Sequence, residues 1–152
     1  MLLAVVAVLL ATGCGTAVLD SNQVGDLIKD QIEKQTGATV ASVQCPSDIE
    51  AKEGGAFQCT ATAMDGSTAT IDVTQTSDNG NLTIEAPLLH AKEAEQAVEA
   101  SIGGGTKVDC PDLIPVKAAA VVACEATAGG DNATVELTFK DDQGNFEYEV
   151  KQ

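Results

Sequence analysis

The residues of this sequence best suited to chemistry are five cysteines, Cys14, Cys45, Cys59, Cys110 and Cys124. Thiols can join in disulfides, hold a metal or act as nucleophiles, and spacing separates these uses. Cys45 and Cys59 lie fourteen positions apart, as do Cys110 and Cys124, and each pair opens with Cys-Pro (Cys45-Pro46, Cys110-Pro111). An even set of four in an exported chain reads as a disulfide framework. Four cysteines allow three pairings; the equal spacing and the duplicated Cys-Pro argue for Cys45 with Cys59 and Cys110 with Cys124. Each bond would close a loop of about fifteen residues and contribute near 3 kcal/mol by restricting the unfolded chain. Zinc is the alternative use, but the short C-x-x-C ligand spacing is missing and an oxidising compartment disfavours it. No metal and no cofactor is expected.

Cys14 stands apart from these pairs. It follows Leu2 to Ala11, a wholly apolar run too short to span a bilayer but suited to the hydrophobic region of a signal peptide. The run ends in Leu10, Ala11, Thr12, Gly13 and Cys14, which resembles the lipobox of bacterial lipoproteins. The resemblance implies a diacylglyceryl group on the Cys14 thiol and cleavage between Gly13 and Cys14. No Lys or Arg precedes Cys14, where a signal peptide carries positive charge, and this departs from the pattern. Residues 1–13 are therefore expected to be a lipoprotein-type signal peptide and 14–20 a lipidated tether. The tether would hold the next residues within roughly 20 Å of the membrane. The location expected is the extracytoplasmic face of the cell membrane.

Other reactive groups are sparse. The chain has one histidine, His90, and no Arg, and it contains no G-x-S-x-G or H-E-x-x-H motif. Gly103-Gly104-Gly105 before Thr106-Lys107 lacks the Walker spacing and reads as a helix stop. The acidic turns Asp78 to Asn81 and Asp141 to Asn145 lack the register of a calcium loop and read as hairpin turns. Asn81-Leu82-Thr83 and Asn132-Ala133-Thr134 match the glycosylation triplet but fall in strands and turns. Paired carboxylates could hydrolyse glycosides, yet Asp72, Glu136, Glu147 and Glu149 fall on outward strand positions. The chain is expected not to be an enzyme.

The elements that position the cysteines follow from an internal repeat. Beyond Cys-Pro, Ile49 matches Ile114, Lys52 matches Lys117, Phe57 matches Val122 and Thr62 matches Thr127. After a one-residue gap, Ala69 to Thr74 aligns with Ala133 to Thr138, and Gly80-Asn81 with Gly144-Asn145. Alternation makes strands of these segments: Phe57, Cys59, Ala61 and Ala63 on one face, then Ile71 with Val73, and Leu82 with Ile84. The second copy offers Val122, Cys124 and Ala126; Val135, Leu137 and Phe139; and Phe146, Tyr148 and Val150. Before each Cys-Pro runs a helical pattern, Val24, Leu27, Ile28 and Ile32 after an Asp20 or Ser21 cap, and Leu89, Ala94, Ala97, Val98 and Ile102 before the triple glycine. Val40 to Val43 and Thr106 to Val108 can supply a short first strand. The fold class expected is α+β: two tandem repeats, 21–87 and 88–152, each one helix on an antiparallel meander of about four strands, with one disulfide per repeat.

Composition agrees, since 44% of the 152 residues are apolar and 20% charged, as in globular domains. With no Trp, one Tyr and three Phe, the core must come from aliphatic residues. The net charge of −15 disfavours nucleic acid and anionic headgroups as partners. The membrane is expected to be met only through the Cys14 lipid.

The sequence Gly54-Gly55-Ala56-Phe57-Gln58-Cys59 behind Cys45-Pro46, followed by an alternating Thr/Val strand, resembles a domain of unknown function common in actinobacterial lipoproteins. Here it recurs twice, with Ala119, Ala120 and Val122 in place of Gly54, Gly55 and Phe57. The resemblance implies a cell-envelope location and supplies no catalytic residue. The function expected is a membrane-anchored binding or adaptor module contacting an envelope protein or cell-wall polymer. The alternative is a secreted-type inhibitor or small hydrophobic ligand carrier.

Overall fold

The computed structural model describes residues 4–7, 10–11 and 17–151. The described chain divides into two compact units, residues up to 34 with 39–86, and 35–38 with 87 onward. Cys14 and the start of the expected tether, residues 14–16, lie outside the described residues.

The first unit begins with Ala4–Ala7 (β1), Leu10–Ala11 (β2) and Val18–Leu19 (β3). Helix α1 follows (Ser21–Thr36), then Val40–Gln44 (β4), Ala56–Ala63 (β5), Thr68–Gln75 (β6) and Asn81–Glu85 (β7). The antiparallel sheet has the order β1-β7-β6-β5-β4, and β2 pairs with β3. Strands β1 and β2 fall in the segment expected to be a signal peptide. Helix α1 starts where Asp20 caps it, its carboxylate accepting the N–H groups of Asn22 at 2.9 Å and Gln23 at 3.3 Å. Val24, Ile28 and Ile32 recur at helical spacing and are fully buried. The Gln31 carboxamide donates to the Ile84 carbonyl, and a Cβ on Gly25 would stand 3.4 Å from the Val43 carbonyl oxygen, so the helix rides close on β4.

The second unit contains Leu88–His90 (β8), α2 (Ala91–Ile102), Lys107–Asp109 (β9), Leu113–Pro115 (β10), Val121–Ala128 (β11), Asp131–Phe139 (β12) and Phe146–Lys151 (β13). Its four-stranded sheet has the order β13-β12-β11-β9, and β10 pairs with β8. Ala94 and Val98 of α2 pack with Ile114, Cys124, Val135, Leu137 and Phe139, while Phe146 and Tyr148 lie against this cluster half-buried. Strand β9 would be a bare sheet edge, but α2 reaches over it. Glu99 accepts the Val108 N–H at 2.8 Å and Glu95 accepts the Cys110 N–H at 3.0 Å.

Three expectations need correction. The first repeat does not begin at Ser21: Leu19 is buried and its N–H donates to Ile49 at 2.8 Å, while Ala51 donates to Ala17 at 2.7 Å. The fold has therefore begun by Ala17. Leu89 is no helix residue but lies in β8 opposite Ile114. Ala97, assigned to the apolar face of α2, is exposed, because this short helix buries only Ala94 and Val98.

Candidate functional site

The disulfides are Cys45–Cys59 and Cys110–Cys124, with Cα atoms 4.3 Å apart in each. Each ties the loop after β4 or β9 to the adjacent strand, β5 or β11. The far limb of that loop is fixed by β6 or β12. In the first unit Gly54 donates to the Gln75 carbonyl at 2.8 Å and Gln75 donates to the Gly55 carbonyl at 2.7 Å. In the second, Ala119 donates to Phe139 at 2.8 Å and Phe139 to Ala120 at 2.9 Å. The loop tip is tied down as well, Glu53 donating to the Asp78 carboxylate at 2.7 Å and Ala118 to that of Asp142 at 2.8 Å. The backbone plan is thus the same although the side chains differ. Gln75, 3% exposed, is a buried polar group in β6; Phe139 replaces it and meets Phe146 edge to face at 5.8 Å.

The acids do not gather into a reactive pair. Asp72 is exposed and accepts from Gln58 at 2.7 Å. Glu147 pairs with Lys140 at 3.0 Å and Glu136 with Lys151, whose ammonium pKa is raised by that contact. Glu149 is the register partner of Glu136 on the outward face of β12 and β13. The turn carboxylate of Asp141 accepts from the Asn145 side chain at 2.7 Å, and this bond, with the Gln143 N–H, holds its pKa below the ordinary value. Among the described residues no group of three or more His, Cys, Asp or Glu could hold a metal ion. His90 caps the start of α2 without a side-chain bond to it, and its Nδ1 is buried without a partner.

Sequence reasoning missed a cleft in the second unit, about 520 Å³, lined by Ile102, Thr106, Ala126, Ala133 and Val150 with Asp131 at its side. It opens where α2 ends above β11, β12 and β13. The sequence signal for it is the triple glycine Gly103-Gly104-Gly105, which stops the helix and leaves this ground unfilled.

The family model described as Domain of unknown function (DUF4333) matches residues 3–80 and again 88–144. The chain belongs to this family. It holds two DUF4333 copies, and the second match opens at Leu88, the first residue of β8. No curated protein and no solved structure matches the chain. A Cys-Pro loop falls inside each match, and a disulfide closes it in both copies. Among the described residues no helix is long and apolar enough to cross a membrane.

Proposed function

We propose that this chain is an actinobacterial cell-envelope lipoprotein, anchored on the outer side of the cell membrane through Cys14, whose two units act as a non-enzymatic binding or adaptor module. The observation that carries this reading is the apolar run Leu2 to Ala11 leading into Ala11-Thr12-Gly13-Cys14. Two disulfides support it, since such bonds persist in oxidising compartments outside the cytosol. Processing before Cys14 would remove β1 and β2, which then belong only to the precursor. The acids on outward strands, engaged by Lys140, Lys151 and Gln58, support a recognition surface over a hydrolytic pair. A ligand carrier would want an enclosed apolar cavity, whereas the cleft of the second unit has exposed walls, Ile102 and Val150.

The test is labelling of cells with an alkyne fatty acid. The wild-type chain should take up label, start at Cys14 by mass spectrometry and fractionate with membranes. Cys14→Ala should lose both label and membrane association. A Cys14→Ala chain that still sediments wholly with membranes would refute the anchor. Turnover of a wall glycan, peptide or ester by the purified chain, abolished by one Asp or Glu substitution without unfolding, would refute the non-enzymatic reading.

A further inference from the structure

The two units share one plan and part company where α2 stops. Val18 bridges Glu50 and Leu88 pairs with Pro115, so β3 and β8 hold equivalent places. Counting on from them, Val24, Ile28 and Ile32 of α1 correspond to Ala94, Val98 and Ile102 of α2. The first two pairs are buried in both units. Ile32 is 0% exposed, but Ile102 is 37% exposed.

The cause is missing chain. Helix α1 has 16 residues and α2 has 12, a difference of about one turn. The extra turn of α1 carries Glu33, which accepts the Val40 N–H at 3.0 Å, and Val40 is buried opposite Ala63. Counted back from the Cys-Pro, the position of Val40 is taken by Gly105. Gly103, Gly104 and Gly105 all have positive φ, and a Cβ on any of them would meet nothing within 4 Å. Strand β9 begins only at Lys107, opposite Thr127, so Ala128, the counterpart of buried Ala63, is exposed. Val150 at the cleft wall is 43% exposed. The cleft occupies the ground that, in the first unit, holds a branched aliphatic side chain and a helical turn.

Two features define what fits. The lining is mostly methyl-bearing, from Ile102, Ala126, Ala128, Ala133 and Val150 with Asn132 among them, and Ile102 and Val150 are open to solvent. Beside them stands Asp131, whose carboxylate has no hydrogen bond or ion pair among the described residues, in a chain of net charge −15. That field repels fatty acids and acidic peptides and attracts cations. We propose that the cleft docks a basic amphipathic helical segment of a partner protein. An aliphatic side chain would fill the place of Val40, and a Lys or Arg would meet Asp131. This is helix-in-groove recognition, with the adjacent charge giving orientation and on-rate. The inference rests on the reading of the chain as a binding module and names its partner's chemistry.

The test uses the whole oxidised chain carrying Cys14→Ser, isotope-labelled for NMR. The probe is a capped helical peptide of Leu, Lys and Ala with Leu at i and i+4 and Lys alongside. It should shift the methyl signals of Ile102, Ala126, Ala133 and Val150 saturably, and a peptide with Glu for every Lys should not. Ala128→Glu should weaken binding at least tenfold and Asp131→Asn several-fold, with unchanged melting temperatures showing both variants folded. Shifts that map elsewhere, or none, overturn the proposal. Equal or stronger occupation by dodecyltrimethylammonium makes the site one for amphiphiles, and peptide-independent dimerisation abolished by Ala128→Glu makes it a self-contact; either overturns it. Envelope partners captured by the wild-type chain and equally by Ala128→Glu would remove this surface and leave the binding-module reading standing.

Discussion

The side-chain carboxamide of Gln75 accepts the Lys52 N–H at 2.8 Å, and the same group donates to the Glu50 carbonyl at 2.8 Å. One buried side chain thus satisfies two backbone groups of the disulfide loop. It explains Gly55 too, because a Cβ there would lie 2.8 Å from the Gln75 Nε2 and 3.0 Å from the Lys52 carbonyl oxygen. Replacing Gln75 with Leu keeps the volume and strands both loop groups. At about 1–3 kcal/mol for each buried group left unmade, partly relieved by water, the expected loss is about 2–4 kcal/mol in urea unfolding. A loss under about 0.5 kcal/mol, the range of a neutral surface change, would mean that the loop is ordered without Gln75.

The loop turn gives a paired prediction. Gly54 has φ +78° and its counterpart Ala119 has φ +65°. The left-handed conformation costs an L residue about 1–2 kcal/mol, while glycine loses about 0.5–1 kcal/mol more entropy on folding. Gly54→Ala should therefore destabilise the first unit and Ala119→Gly stabilise the second, each by about 0.5–1 kcal/mol. Opposite signs are the outcome to look for; the same sign for both would show the two turns to be inequivalent.

Removing one disulfide should affect one unit. Replacing Cys45 and Cys59 together by Ala should cost about 3 kcal/mol from loop entropy. Hydrogen exchange should then accelerate in β5 and β6 and stay unchanged in β11 and β12. Uniform acceleration across both sheets would show the units to unfold as one.

The depressed pKa of Asp141 sets the sign of an acid effect. Its first cause is the Asn145 side chain, followed by the Gln143 N–H. A carboxyl whose folded pKa lies below its unfolded value contributes stability above the unfolded value and loses it as pH falls through the folded one. The turn should therefore be unaffected from neutrality down to about pH 5 and loosen only below the ordinary value of 3.8. Asn145→Ala should raise the Asp141 midpoint in a carboxyl-carbon titration; an unmoved midpoint would assign the shift to other groups.

Both helices, strands β4 to β7, β9 and β11 to β13, and both disulfides were legible because duplication supplied a second witness to each segment, and because alternation over eight residues fixes a face. Two residues cannot show a period, so Val18-Leu19 read as tether, although Leu19 pairs with Ile49 across thirty positions of chain. The same limit put Leu89 in a helix. Gln75 was hidden among the Thr-rich alternation of β6, where its inward register is the only sign of burial. The cleft was encoded as a difference between repeats, Gly105 against Val40 and a shorter helix, and reading each repeat for what it shares with the other passes over such differences.

The glutamates that α2 extends to β9 have a consequence for how the second unit meets other chains. Val108 and Cys110 are the backbone donors an incoming strand would seek on that side, and Glu99 and Glu95 already hold them. Fibril-like stacking on the β9 margin would have to expel two carboxylates first, so lateral growth of this sheet is confined to β13, where Glu147, Glu149 and Lys151 alternate along the strand.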